Sequence, residues 1–269
     1  MSIEPTALNG EWMSAELPDW TVVCLGRIAS TNDEARRRGA AGDGSWTAVL
    51  AEEQTAGRGR RGARWVSPAG RNGMVSVLLR PGGELPAERW TRLTLAAALA
   101  GCDALDAVPG MHSAAEVKWP NDLYLSGKKV AGILVESAWG TEGGFVVVGT
   151  GFNLNVAGAE FPDELRQTAT SVWMERGGLA VDRTVFLTNF LKALRIRCDE
   201  AGNGFPEMIA EAWRRSWLAG KRVGLTSAGV EMEGLAWGLG PEGELLLKME
   251  TGEVRAISSA DLVRPVSGE

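Results

Sequence analysis

Residues 116–136 hold the most restrictive pattern in the chain. Three strand-like pieces, 116–119, 123–125 and 129–136, follow one another with only Pro120-Asn121-Asp122 and Ser126-Gly127-Lys128 between them. Turn residues at such close spacing make this stretch sheet. Further strands are expected at 21–25, 47–52, 74–80 and 145–149, and helices fill the gaps. Ser30 followed by Asp33 resembles a capping box opening a short helix to about Arg38. Pro86 and Ala87 lead into a helix whose apolar spacing runs through Leu93, Ala96, Ala97, Ala100 and Leu105. Asp182 is placed to cap a long helix with Phe186, Phe190, Leu194 and Cys198 on one stripe, and a second helix is expected at 205–217. Residues 156–168 read as a polar loop with few apolar anchors. Beyond Lys221 the texture changes to short strands at 222–225, 233–237, 244–248 and 254–257, punctuated by glycines: a small β barrel. The division is expected at Gly220-Lys221, giving units 1–220 and 221–269. The barrel should pack on the larger unit, either as a structural cap or as a docking surface, the second being favoured.

Composition removes several chemistries. His112 is the one histidine, so a mechanism needing two is excluded. Cys24, Cys102 and Cys198 lie far apart with no C-x-x-C pair, which speaks against a structural zinc site and for reduced, cytoplasmic thiols. No apolar run reaches the ~20 residues of a membrane helix. The N-terminus carries Glu4 and Glu11 rather than a basic leader. A net charge of −6 argues against a whole-surface nucleic-acid binder.

Against that acidic background stands Gly57-Arg58-Gly59-Arg60-Arg61-Gly62, followed by Arg64-Trp65. The glycine spacing matches G-x-G-x-x-G, but a dinucleotide fingerprint must open a helix, and Arg64-Trp65-Val66-Ser67-Pro68 does not look helical. The arginines are more informative. Glycines let the backbone fold around a ligand, and clustered guanidinium groups suit a nucleotide triphosphate or acyl-phosphate. A solvated basic loop or an RNA contact remains open on composition alone. Lys118-Trp119-Pro120-Asn121-Asp122 reads as a hairpin turn, and Lys129 stands at the mouth of an apolar strand in which Gly132 would let a ligand lie close. Ser30-Thr31-Asn32 offers polar groups at a helix start. Gly149-Thr150-Gly151-Phe152-Asn153-Leu154-Asn155 is a tight turn after a strand.

Taken in order, STN at 30–32, QxAGRGRRG at 54–62, Trp65, KWPND at 118–122, KVAGILVE at 129–136 and GTGFNLN at 149–155 resemble the catalytic region of biotin–protein ligases. That resemblance implies an α/β (α+β) fold: a mixed β-sheet flanked by helices, like the class II aminoacyl-tRNA synthetase catalytic domain, plus a C-terminal SH3-like barrel. It implies that biotin and ATP are joined as biotinyl-5′-AMP and the biotinyl group passed to a lysine of a biotin carboxyl carrier protein domain, with no nucleic acid or membrane partner, in a monomer or homodimer. It assigns catalysis to Lys129, Arg60 and Asp122, with Asp122 orienting or deprotonating the incoming lysine. It assigns biotin binding to Ser30, Thr31, Asn32, Gln54, Gly57, Arg58, Gly59, Arg60, Lys129 and Gly132. Adenylate binding falls to Arg58, Arg60, Arg61, Trp65, Asn121, Lys129 and Asn153, with the 156–168 loop on the adenosine side. Mg²⁺ would come in on the phosphates with few protein ligands. Only 29 residues precede Ser30, too few for the winged-helix DNA-binding domain of some members, so the short form is expected. The alternatives are a lipoate–protein ligase, or a nucleic-acid-binding module using the arginine loop.

Overall fold

The computed structural model describes residues 7–111 and 114–266. His112 and Glu4, used above to exclude chemistries, lie outside the described residues.

β1 (Thr21–Ile28) and β2 (Thr47–Gln54) pair in parallel. Every later pairing in this sheet is antiparallel. β2 pairs with β3 (Gly73–Leu79), β3 with β7 (Gly143–Phe152), and β7 with β6 (Lys128–Gly140). β5 (Asp122–Leu125) and β4 (Glu116–Lys118) complete a seven-stranded mixed sheet. The strands alternate between two buried faces, as a doubly covered sheet requires. On one face, α2 (Thr31–Ala40) sets Ala35 against Val49, Leu78, Phe145 and Val147. On the other, Val75, Val77, Val146 and Val148 meet α3 (Arg92–Asp106) and α5 (Arg183–Asn203). Small residues along α3, among them Ala96, Ala97 and Ala100, let α5 approach closely, and Phe152 meets Phe186 and Phe190 edge-on with centroids 5.0 Å away. Such ring pairs add about 0.5–1.5 kcal/mol each beyond burial.

Three short elements escape sequence periodicity. α1 (Gly10–Glu16), capped by Asn9, buries only Met13. α4 (Val172–Glu175) is a single turn capped by Ser171. The region before α3 is a 3₁₀ turn at Ala87–Arg89, so the helix begins at Arg92 rather than at Ala87. α6 (Phe205–Arg214) stops before Trp217 because the chain there turns to pair with the sheet edge: Val117 N–H donates to Arg215 O, and Trp217 N–H to Val117 O, both at 2.9 Å. That segment covers the exposed edge of β4. The 156–168 segment corrects the expectation of a loop with few anchors. It holds two 3₁₀ turns and its own core of Val156, Phe161 and Ala169.

A separate antiparallel sheet follows, built from β8 (Arg222–Ser227), β9 (Val230–Leu239), β10 (Leu245–Lys248), β11 (Val254–Ile257) and β12 (Leu262–Pro265). Its order is β11-β10-β9-β8-β12. Its core includes Val223, Leu225, Leu245 and Leu247, and it is completed from outside by Trp119 and Leu218. The Trp119 indole donates to Gly243 O at 3.0 Å. Arg92, nearly buried and stacked on Phe205, makes a two-pronged bond to Glu242 at 2.9 and 2.7 Å. The two sheets thus share apolar and ionic contacts.

Candidate active site

Pleating decides where a cavity can form. The face of the sheet covered by α2 carries bulky Phe145 and Val147 beneath that helix. Two residues further along β7, the same face carries Gly149 and then Gly151. Cross-strand register sets Ser76 and Leu134 beside Gly149, and Met74 and Gly132 beside Gly151. Beyond the N-terminus of α2, small residues therefore floor an opening of about 540 Å³. The glycines are required by what lies above them. A Cβ on Gly149 would meet Asn32 Oδ1 at 1.9 Å, and one on Gly151 would meet the Trp65 ring at 2.5 Å.

One end of the cavity is polar and uncharged. Ser30 caps α2 by accepting from Asp33 N–H at 3.4 Å. Gln54 Oε1 accepts from the Thr31 amide at 2.7 Å and from its hydroxyl at 3.1 Å. The Ser76 hydroxyl lies 2.6 Å from Asn32 Oδ1 and 2.8 Å from the Thr31 hydroxyl. Asn32 donates to Glu136 at 2.9 Å and to Leu134 O at 3.4 Å. Each group is held by its neighbours, so the cluster is preorganised.

The arginine loop forms the roof. Arg58 bridges Arg64, Gly59 N–H donates to Ala63 O at 2.6 Å, and Trp65 N–H donates to Gly57 O at 2.9 Å. This is a tight hairpin closed by a three-residue 3₁₀ turn, with Arg61 at φ 55°. No α-helix follows the glycines, which removes the dinucleotide-fingerprint reading. The Arg58 guanidinium grips Glu136 at 3.0 and 2.9 Å and Asp33 at 2.7 Å, and these bonds hold it more firmly charged than an ordinary arginine. Arg60 differs: its partner is the neutral Asn121 Oδ1 at 3.1 Å. Burial and the nearby Arg61 charge push its pKa down, with Asp122 opposing. An anion beside Arg60 would relieve that strain. Arg61 pairs with Asp261, which, with Ala260, lines the cavity from the C-terminal sheet.

The floor's far side carries Lys129 Nζ 2.7 Å from Asp122 Oδ1 and 5.9 Å from the centroid of Trp65. The Lys129 backbone is clamped by the 156–168 segment and its neighbour: Lys129 N–H donates to Thr168 O at 2.8 Å, and Thr170 N–H to Lys129 O at 2.9 Å. Asn121 donates to Ile133 O at 2.7 Å and fixes the β4–β5 turn against β6.

The cavity brings together Ser30, Thr31, Asn32, Gln54, Arg58, Gly59, Arg60, Arg61, Trp65, Asn121, Asp122, Lys129 and Gly132. Gly57 does not line it. A Cβ there would meet Trp65 O at 2.6 Å, so Gly57 closes the hairpin. Asn153 also lies outside the lining, buried and donating to Thr170 O at 3.1 Å, where it braces the strand end behind Lys129. Lys118 of KWPND points elsewhere, donating to the Tyr124 hydroxyl at 2.9 Å, with burial lowering its pKa. Sequence reasoning passed over Ser76, Glu136, Asp33 and Asp261. Ser76 had a signal: it is the lone polar residue in the fully buried run of β3. Among the described residues no group of three or more His, Cys, Asp and Glu is placed to hold a metal ion.

Comparison with known proteins adds to this geometry. Residues 27–153 match the Biotin/lipoate A/B protein ligase family. The chain is 39% identical over 238 residues to a biotin–[acetyl-CoA-carboxylase] ligase of Paracoccus denitrificans, covering 85% of this chain and 94% of that protein. It is 35% identical over 219 residues to a bifunctional ligase/repressor of Bacillus spizizenii, covering 80% of this chain but only 65% of that protein's length. Among solved structures, a biotin protein ligase from Aquifex aeolicus in complex with biotin and ATP superposes with a TM-score of 0.79 at 28% identity, covering 91% of this chain and 99% of that one.

Proposed function

The chain belongs to the biotin/lipoate A/B protein ligase family, and on that premise we propose that it is an ATP-dependent biotin–protein ligase acting on a biotin carboxyl carrier protein domain of a biotin-dependent carboxylase. The observation that carries this reading is the polarity gradient of one cavity. Neutral hydrogen-bonding groups at Thr31, Asn32 and Gln54 suit a ureido ring. A glycine floor under Trp65 suits an apolar ring and chain. Cations at Arg60 and Lys129 suit a carboxylate meeting a phosphate.

In the first step a biotin carboxylate oxygen forms a bond to the α-phosphorus of ATP, the bond to the bridging oxygen breaks, and pyrophosphate leaves. Two anions meet and charge accumulates, so the protein's work is positioning and neutralisation. Lys129 stands where it can leave Asp122 and bridge carboxylate and α-phosphate. Arg60, beside Asn121 in the hairpin roof, would overhang the adenylate, while Arg58, tied to Glu136 and Asp33, would hold the hairpin over the ring end. The Asp122 carboxylate, freed as Lys129 turns to the phosphate, faces the position from which an acceptor amine would arrive. In the second step the lysine nitrogen bonds to the acyl carbon, AMP leaves, and the surplus proton passes to Asp122 or solvent. Mg²⁺, if carried in on the nucleotide, would supply neutralising charge to the phosphates. Glu136 stays engaged with Arg58, and among the described residues no group of three or more His, Cys, Asp and Glu is placed to hold a metal ion, which fits a metal held chiefly by phosphate oxygens. We read residues 1–220 as the catalytic unit and 221–269 as a barrel that completes its wall.

A lipoyl ligand has a dithiolane ring without N–H or carbonyl groups. It would leave Asn32 and Thr31 without ligand partners, and a site built for hydrogen bonds rejects such a ligand strongly. Incubation with ATP, Mg²⁺, biotin and a carrier domain should add one biotinyl group to one lysine, read by mass spectrometry. Equal labelling with lipoate, or none with biotin, would defeat the reading.

A further inference from the structure

Glu136 is a carboxylate on the α2 face of β6, flanked on that face by Leu134 and Ala138, with its side chain only 24% exposed. A charge there is costly unless it is fully engaged. Its two oxygens take both prongs of Arg58, and one of them also takes Asn32 Nδ2 at 2.9 Å. The consequence for Asn32 is directional. A carboxylate accepts only, so it requires the amide NH₂. With both amide hydrogens committed to Glu136 and Leu134 O, Asn32 must turn Oδ1 to the Ser76 side. There Oδ1 keeps a second lone pair for a ligand N–H. The same carboxylate fixes the Arg58 guanidinium beside Asn32, where both bond Glu136 Oε2 at 2.9 Å. Asp33, the other acid on Arg58, meets the polar cluster only through its backbone N–H to Ser30, and its carboxylate is half exposed.

We propose that Glu136 is a positioning residue that sets the Asn32 amide to present an acceptor to the ligand's ring N–H and, through the same carboxylate, ties Arg58 of the hairpin roof to that end of the cavity, so that ring recognition and the arginine hairpin are coupled through one side chain. The inference rests on the biotin reading of the cavity. Glu136 never touches the substrate.

The test is a double-mutant cycle on the full chain, with biotin affinity measured calorimetrically for wild type, Glu136→Gln, Arg58→Ala and the pair. Glu136→Gln keeps the shape, loses the charge, and frees Asn32 to flip. It should weaken biotin about tenfold, while maximal pyrophosphate exchange at saturating substrates stays within about threefold, because ground-state positioning is lost rather than a transition-state contact. The double variant should be weaker than Arg58→Ala by clearly less than that tenfold. Unchanged affinity in Glu136→Gln, or loss in the pair equal to the product of the single losses, would overturn the proposal. If Glu136→Gln melts early, Glu136→Asp, which keeps the charge but cannot reach both partners, takes its place with the same outcomes. A wild-type chain that neither binds biotin nor exchanges pyrophosphate would instead defeat the functional reading.

Discussion

Gly149 is a single hydrogen atom where any other residue would strike Asn32. Its Cβ would sit 1.9 Å from Asn32 Oδ1, and both positions belong to buried elements with little room to shift. Gly149→Ala should therefore displace the amide and weaken biotin tenfold or more, on the order of 1–3 kcal/mol for a disrupted buried hydrogen bond, with a smaller loss in melting temperature. Wild-type affinity in this variant would mean that Asn32 does not contact the ligand. Lys129 behaves differently. Its side chain is about one-third exposed, pairs with Asp122 and lies 5.9 Å from the Trp65 ring centroid, so Lys129→Ala should fold normally yet lose roughly 3–4 kcal/mol of transition-state stabilisation in adenylation, read as a fall in pyrophosphate exchange of two to three orders of magnitude. At this level the sequence was legible where chemistry demands a residue type: thirteen of the residues named from it line one cavity. It was not legible where a residue acts through others. Glu136 and Asp261 matter through partners 78 and 200 positions away, which no local pattern displays. Gly57 and Asn153 sit inside the motifs but brace them from behind.

The arginine hairpin has no hydrophobic anchor except Trp65, and its tip is held by the Arg60–Asn121 and Arg61–Asp261 contacts. Arg60→Gly should therefore still form biotinyl-AMP but retain it poorly, so that free intermediate appears in rapid filtration and lysines on bystander proteins become labelled. Tight retention would make Arg60 a surface charge. Away from the site, α3, α5 and α6 are tied by Arg197, which reaches Asp103, Glu200 and Glu211. Burial raises the Glu211 carboxyl, but the bonds from Arg197 and Arg215 outweigh it and hold it below the ordinary value of 4.5. A carboxyl depressed in the folded chain stabilises fully above its unfolded pKa, and that contribution disappears as pH falls through the folded value. The melting temperature should thus decline below about pH 4.5, and Glu211→Gln should flatten part of that decline. Identical pH profiles for the two proteins would contradict the assignment. Strands and the long helices were legible where period and turn residues agree; Gly149–Phe152, read as a turn from its glycines, instead continues β7, where the glycines make room for Asn32 and Trp65. The single-turn α4, short α1 and the last strand, which ends in Pro265, carry too few residues for a period to show.

The two sheets contribute to one cavity wall. The C-terminal sheet takes Trp119 and Leu218 into its core, bonds Arg92 through Glu242, and gives Asp261 to the cavity wall. A barrel serving only to dock a carrier domain would leave adenylation intact when removed. These contacts predict the opposite: a chain cut before Lys221 should lose pyrophosphate exchange and transfer together and melt earlier. Asp261→Ala, which leaves the barrel core untouched, should lower exchange without altering the melting temperature. The sequence showed the C-terminal segment as a set of short, glycine-punctuated strands, but not that Ala260 and Asp261 line the cavity, because that depends on how two sheets with no shared motif meet. The decisive measurement is incorporation of labelled pyrophosphate into ATP by the full chain with Mg²⁺, in the presence and absence of biotin. The cavity's pairing of a neutral hydrogen-bonding end with a cationic end predicts exchange that requires biotin and is not supported by lipoate. Exchange that proceeds without biotin, or equally with lipoate, would contradict it.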